Sequence, residues 1–258
     1  MRPMNFFRYN SEAARYARFR PYFHPMVVER VRKRLELDEP LEHALDVGCG
    51  TGQSAVALKP IARSITGVDS SRSMLEEALS DECVRYVEAP AEDLPFRDES
   101  YELVTVSLAL HWFERAKFLF EAARVLKNNG WLVIYDNWFS GVMRENPKFL
   151  GWVKEVYLHR YPAPPRDSRP IDAEEAGKYG FRLLEDERYE NEVAFTVEEL
   201  AAYLSTQTNV VGAVEAGSEA LESVLDWLMD QLRPMFPRAS ATFVFRGRIW
   251  YLQKSGSS

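Results

Sequence analysis

Leu45-Asp46-Val47-Gly48-Cys49-Gly50-Thr51-Gly52 ends a short apolar run with an acid and three glycines at every second position. The run His43 to Val47 reads as a buried strand meeting a tight turn, and Ser54 to Ile61 as the helix that follows. Glycine suits such a turn because the backbone must adopt unusual dihedrals and bring its N–H groups close to a ligand. The dinucleotide fingerprint GxGxxG would place its third glycine at Gln53, but the spacing here is GxGxG. By itself the triplet allows a purely structural turn as well as a nucleotide-type ligand.

Working outward, strand and helix alternate. Ser64 to Val68 reads as a second strand, Ser71 to Leu79 as a helix, Val84 to Val87 as a third strand and Tyr101 to Ser107 as a fourth. Ala116 to Leu126 is a helix with Leu119, Ala122 and Leu126 on one face and Glu121 and Arg124 off it. Asn128-Asn129-Gly130 is expected to stop that helix before a fifth strand, Trp131 to Tyr135. Five alternations predict an α/β fold, a Rossmann-like doubly wound sheet with helices on both faces.

The flanks divide the chain into three. Residues 1–140 form the core with an amino-terminal helical segment, Glu12 to Phe19 and Met26 to Leu37, punctuated by Pro21 and Pro25. Residues 141–180 read as an α-helical cap or lid, because Phe149, Trp152, Tyr157 and Tyr161 lead into the proline-rich Pro162 to Pro170. Residues 181–258 complete the sheet. They hold a strand at Arg182 to Phe195, helices at Val197 to Thr206 and Ser218 to Leu232, and an antiparallel last strand at Ala241 to Leu252, before a polar tail, Ser255 to Ser258.

Composition narrows the function classes. With 46% hydrophobic and 28% charged residues in 258, the chain can build a real core and is not expected to be disordered. A net charge of -7 biases against a nucleic-acid partner. Cys49 and Cys83 make neither a CxxC pair nor a zinc spacing, so no metal is expected. Met1 to Pro25 carries arginines throughout and lacks the apolar core of a signal peptide, and no run has the length of a membrane span. The expectation is a soluble protein of a reducing, cytoplasmic compartment.

Asp69, at the end of the second strand, sharpens the ligand. An acid there can accept both hydroxyls of a ribose, and its distance from the glycines is about the 20 residues this role requires. The alternative is an acid at a helix start, where Ser70 or Ser71 could also serve as the cap.

Four ordered segments then resemble the class I S-adenosylmethionine-dependent methyltransferases, specifically the type 11 domain. They are Leu45 to Gly52, Gly67-Val68-Asp69 with Met74-Leu75, Ala91-Glu92-Asp93-Leu94-Pro95-Phe96, and Glu121 to Leu126 leading to Gly130. Ala91 to Phe96, Leu110-His111-Trp112-Phe113 and Tyr16 to Pro21 look most like the trans-aconitate methyltransferase-like branch. The resemblance implies S-adenosylmethionine as cofactor and a small-molecule methyl acceptor. It implies that Tyr16 and Arg20 hold the methionine end, and that Asp46 with the backbone of Gly48, Gly50 and Gly52 surrounds the methionine and ribose. Asp69 and Ser70 would meet the ribose. Met74, Ala91 and Glu92 would meet the adenine, and Ser107 and Leu108 would line the sulfonium. Where many relatives carry Gly-Asp this chain has Ala89-Pro90, so the usual adenine-binding aspartate is absent, and either Glu92 serves or the contact is lost.

Methyl transfer is an in-line displacement at an activated sulfonium, so alignment and desolvation supply much of the rate. A hydroxyl acceptor profits from a base and a carboxylate needs none. His111, after the fourth strand, is the candidate base; the alternative is a histidine that shapes the pocket. Trp112 reads as core, with a substrate platform as the alternative. Trp152, Tyr157, His159 and Arg160 are possible substrate contacts, although the aromatics there suit a core of their own. Arg144, Arg160 and Arg166 could pair with an acidic substrate or simply be solvated, and Tyr203 to Asn209 offers polar side chains for a lid. An oxygen acceptor leads. Nitrogen or carbon acceptors, a binding protein without catalysis and a nicotinamide enzyme (disfavoured by the spacing) remain as alternatives.

Overall fold

Of the four strands nearest the glycine turn, three hold unbroken buried runs, Ala44 to Val47, Ile65 to Val68 and Leu103 to Ser107, because both of their faces are covered. In the computed structural model, which describes residues 12–256, the four are β1 (Leu41–Val47), β2 (Ala62–Asp69), β3 (Val84–Glu88) and β4 (Tyr101–Ser107). With β5 (Leu126–Met143), β6 (Phe181–Thr196) and β7 (Ser240–Lys254) they form one seven-stranded sheet in the order β3-β2-β1-β4-β5-β7-β6. β1 pairs in parallel with both β2 and β4, so the strand order reverses at β1. Such a reversal opens a crevice at the carboxyl ends of the strands, where open α/β sheets bind ligands. β7 runs against β5, since Lys254 reaches the Leu126 carbonyl at one end and the Arg144 amide reaches Thr242 at the other.

The chain forms two compact units. The larger comprises residues 22–137, 166–188 and 247–258, and the smaller comprises residues 1–21, 138–165 and 189–246. The reading of Met1 to Pro25 as no signal peptide and of Ser255 to Ser258 as a tail rests partly on residues outside those described.

In the larger unit, α2 (His24–Arg34), α3 (Gln53–Ala57), α4 (Arg72–Glu76), α5 (Arg115–Val125) and α8 (Ala173–Lys178) accompany the strands. Val47, Val104, Val106, Phe118, Ala122, Ile134 and Trp250 belong to its buried core. Pro25 does not separate helices as expected; it sits in the first turn of α2, where its missing N–H costs nothing.

In the smaller unit, α1 (Glu12–Phe19), α9 (Val197–Leu204), α10 (Thr208–Glu215) and α11 (Leu221–Leu232) accompany a helical run. That run passes from α6 (Phe149–Trp152) through a π turn at Val153–Tyr157 into α7 (Leu158–Arg160). Phe149, Trp152, Tyr157 and Tyr161 are buried in this unit's own core with Phe195, Tyr203 and Phe243. No helix among the described residues is long and apolar enough to cross a membrane.

Asn128 to Gly130 does not end α5. The helix stops at Val125 and β5 begins at once, so these residues form a bulge in the β4–β5 pairing between the matched pairs Tyr101 with Leu126 and Leu103 with Trp131. Asn129, at φ 61°, takes the left-handed position expected of Gly130. Gly130 is needed for space instead, since a Cβ would come within 2.8 Å of the Lys127 carbonyl oxygen.

A buried histidine ties α2 to β5. His24 Nδ1 and the Tyr135 hydroxyl share a 3.2 Å hydrogen bond, and burial pushes the imidazole from 6.5 down to about 3. A depressed histidine pKa means that the folded state loses stability as pH falls from 6.5 towards 3. Chemical unfolding of the wild type and of His24→Gln across pH 7 to 4 should show the wild type losing ground below pH 6.5, at about 1.4 kcal/mol per pH unit. Parallel curves would contradict the buried neutral imidazole.

Candidate functional site

The glycine turn leaves β1 at Gly48 and enters α3 at Gln53. Gly48, Gly50 and Gly52 lie at φ 72°, 52° and 79°, a region L side chains rarely adopt. Space is also lacking: a Cβ on Gly48 would stand 2.5 Å from Ala109 Cβ, and one on Gly52 would stand 2.1 Å from the Tyr86 hydroxyl. The N–H groups of Gly48 and Cys49 donate to the Val68 carbonyl at 2.8 and 3.0 Å, fastening the turn to the end of β2.

Two aspartates hold this turn from different sides. Asp46 is fully buried and accepts hydrogen bonds from Ser54 in α3 and from Thr105 Oγ1 on β4, the latter at 2.7 Å. Burial pushes its carboxyl up to about 6 against the opposing pull of those two bonds. Both its oxygens are engaged inside the protein, so it braces the turn from within. Asp69 accepts the Gly50 N–H and the Ser71 N–H, each at 2.8 Å, one on each oxygen. An ionised carboxylate can accept about four hydrogen bonds, which leaves two for a ligand. Ser71, not the exposed Ser70, caps α4 by accepting the Met74 N–H. The Met74 methyl lies 3.1 Å from where a Cβ on Gly50 would stand.

The segment after β3 arrives beside them. The Ala89 N–H donates to the Asp69 carbonyl, and Ala91 is buried two residues on. Glu92 accepts the Glu114 N–H at 2.6 Å, at the start of α5, so one of its oxygens serves that helix end. Glu121 and Arg124, read from sequence as lying off the helix's apolar face, grip this segment. Glu121 accepts the Leu94 N–H at 2.8 Å, and Arg124 donates to the carbonyls of Leu94 and Phe96 at 2.8 and 2.7 Å while pairing with Glu121. The opposite charges three residues apart were the visible signal. Their target, a loop backbone some thirty residues earlier, was not.

At the end of β4, Ser107 is buried and its hydroxyl has no hydrogen-bond partner. Leu108 follows at φ 54°, with its N–H on the Tyr135 carbonyl. A left-handed leucine costs about 1–2 kcal/mol, and strain of this kind collects at functional edges. His111 lies on the short 3-10 turn Leu110–Trp112, 4.9 Å from the Trp112 ring between centroids. Burial, and then the charge of Arg166, push its imidazole down to about 4. Trp112 is not core, as its sequence position implied, but 60% exposed.

Several further sequence-derived residues lie in the smaller unit. Tyr16 and Arg20 belong to the smaller unit, where the Arg20 guanidinium lies 4.6 Å from the Tyr16 ring and donates to the Thr206 carbonyl at 2.7 Å. In Tyr203 to Asn209 the hydroxyls of Ser205 and Thr206 donate to carbonyls three residues back, and Asn209 donates to the Tyr161 carbonyl. Arg160 pairs with Glu219 and lies over Trp227, while Arg144 pairs with Glu192. Most of those polar groups are engaged within their own unit, while the buried Nε of Arg20 has no hydrogen-bond partner.

Residues 45–134 match the methyltransferase domain family, the span of the glycine turn, Asp69 and the gripped loop. A protein of Dictyostelium discoideum named as a methyltransferase is 26% identical over 218 residues, covering 82% of this chain and 81% of that one. The O-methyltransferase resE of Aspergillus sclerotiorum is 35% identical over 153 residues, covering 56% of each chain. A solved structure described as a type II methyltransferase from Anaeromyxobacter dehalogenans shares the fold at a TM-score of 0.69 and 23% identity, over 92% of this chain and 98% of that one. The chain spans little more than half the length of several other curated relatives it matches, 52% and 56% in two cases. The fold is that of an enzyme class, the methyltransferases, and residues 45–134 match its domain. Within it, the methyltransferase domain is carried by that span, and the chain as a whole is similar to class I S-adenosylmethionine-dependent methyltransferases.

Two substitutions probe the construction. Arg124→Ala removes charge-assisted bonds to two carbonyls and to Glu121, and should lower stability to urea by about 2–3 kcal/mol. Gly48→Ala places a Cβ at positive φ against Ala109 and should cost at least about 1–2 kcal/mol. An unchanged unfolding midpoint in either variant would refute its assigned role.

Proposed function

We propose that the carboxyl edge of β1, β2 and β4 holds S-adenosylmethionine and delivers its methyl group to an oxygen, carboxylate or hydroxyl, of a small-molecule acceptor. The observation that carries this reading is the Asp69 carboxylate, fixed by the Gly50 and Ser71 amides with capacity left for two ribose hydroxyls. The unpartnered Ser107 hydroxyl at the same edge supports it, because a buried polar group of this kind calls for a ligand or water. The relative named as an O-methyltransferase supports the choice of oxygen.

S-adenosylmethionine supplies a methyl group already activated on a sulfonium. The chain's own task is therefore to bind, align and exclude water. Asp69 binds the ribose hydroxyls. Met74 and the buried Ala91 flank the adenine. The backbone at Gly48 and Gly50 approaches the methionine portion, which no side chain there would permit. Ser107 and Leu108 line the reacting end. His111, neutral at pH 7, accepts a hydrogen bond from the acceptor and orients it; a base with a pKa near 4 removes a proton only weakly at neutral pH.

Asp69→Ala should weaken S-adenosylmethionine binding by about 1–3 kcal/mol in calorimetry, the cost of losing bonds to a charged acceptor. Unchanged affinity would overturn the ribose assignment. His111→Ala should slow turnover and leave cofactor affinity nearly intact. Because neutral His111 is the working form and its pKa is lowered, turnover should be level from pH 8 to 6 and fall only as pH approaches about 4. A histidine limb centred near 6.5 would contradict this environment.

A further inference from the structure

Ser107 is 7% exposed, and its hydroxyl has no hydrogen-bond partner among the described residues. Leaving a buried hydroxyl unpaired is costly, and native chains keep few of them. The backbone beside it is held, because the Leu108 N–H donates to the Tyr135 carbonyl at 3.0 Å and fastens the end of β4 to β5. The hydroxyl is therefore placed by the fold and not by a bond of its own.

Its neighbours indicate which part of a ligand it meets. The parallel pairing of β1 with β4 runs to Val47 opposite Val106, so Gly48 and Ser107 are the next residues of the two strands. The chain beyond Ser107 closes on the same glycine, since a Cβ on Gly48 would stand 2.5 Å from Ala109 Cβ. A ligand whose ribose rests on Asp69 and whose methionine portion follows Gly48 runs towards Ser107 with its charged sulfur. The two aspartates of this edge are occupied: Asp46 by Ser54 and Thr105, and Asp69 by the Gly50 and Ser71 amides. The Ser107 oxygen keeps both of its lone pairs.

Resting on the S-adenosylmethionine reading above, we propose that the Ser107 hydroxyl oxygen receives the methylsulfonium and so distinguishes the charged donor from the spent product. The C–H bonds of a methyl group on a sulfonium are polarised and present positive charge to that oxygen, and a buried position of low dielectric strengthens the contact. On transfer the S–CH3 bond breaks, its electron pair stays on sulfur, and the methyl carbon bonds to the acceptor. The neutral thioether left behind has neither the charge nor the methyl group, so the contact disappears with the reaction.

Three ligands test this by calorimetry on the full chain and on Ser107→Ala: S-adenosylmethionine, S-adenosylhomocysteine, and sinefungin, which carries an amine in place of the methyl group. The variant should bind S-adenosylhomocysteine as the wild type does. It should lose about threefold or more in S-adenosylmethionine affinity, the scale of a C–H···O contact. With sinefungin, whose ammonium donates a full charge-assisted bond, the loss should reach about tenfold. Because alanine removes a buried hydroxyl that nothing in the ligand-free fold satisfies, the variant's urea midpoint should equal or exceed that of the wild type. An unchanged ratio of S-adenosylmethionine to S-adenosylhomocysteine affinity, equal losses for all three ligands, or a less stable ligand-free variant would each overturn the proposal. Failure of the wild type to bind S-adenosylmethionine would instead sink the methyltransferase reading.

Discussion

The carboxylate of Asp69 accepts one amide from the turn after β1 and one from the turn after β2, and the candidate site is organised around that pair of bonds. The Gly50 amide can point at it only because the glycine turn adopts positive φ, and the Ser71 amide only because α4 starts there. Asp46 supports the same turn from beneath by joining β1, β4 and α3 through Thr105 and Ser54. A buried, raised carboxyl is costly, so two hydrogen bonds are spent on holding it. The edge is thus fixed by the protein's own bonds, which is what the proposed methyl transfer, governed by alignment, requires.

The polar groups at this edge divide by what they do for the fold. Arg124 and Glu121 fix the Ala91 to Phe96 loop, and Arg115 fixes the segment around Arg169. Each is a charged side chain satisfying backbone groups of a loop, which would otherwise have to find water. Ser107 is the exception, a buried hydroxyl without a protein partner. Its place beside a left-handed leucine makes the end of β4 a point where local stability is given up.

Much of this was legible in the sequence because the decisive signals were local. Apolar runs located six of the strands, with the charged β6 placed as a strand as well, and the glycine spacing located the turn at the end of β1. What could not be read depended on distant partners. Nothing near Glu121 or Arg124 announces a loop thirty residues earlier, and nothing near Arg20 announces the Thr206 carbonyl. The Asn128 to Gly130 segment looked like a helix stop because a bulge and a helix end use the same residue types. Trp112 looked like core because apolar neighbours surround it in sequence, yet the turn after β4 puts it outside. The short helix α10 was missed because three β-branched valines and a glycine lower its helix propensity.

The central claim is that the Asp69-braced glycine turn recognises an adenosyl sulfonium and not a dinucleotide. Calorimetric titration of the full chain with S-adenosylmethionine and, separately, with NAD tests it most directly. The account requires saturable one-to-one binding of S-adenosylmethionine and no measurable heat with NAD. Tight binding of NAD with no S-adenosylmethionine signal would contradict it.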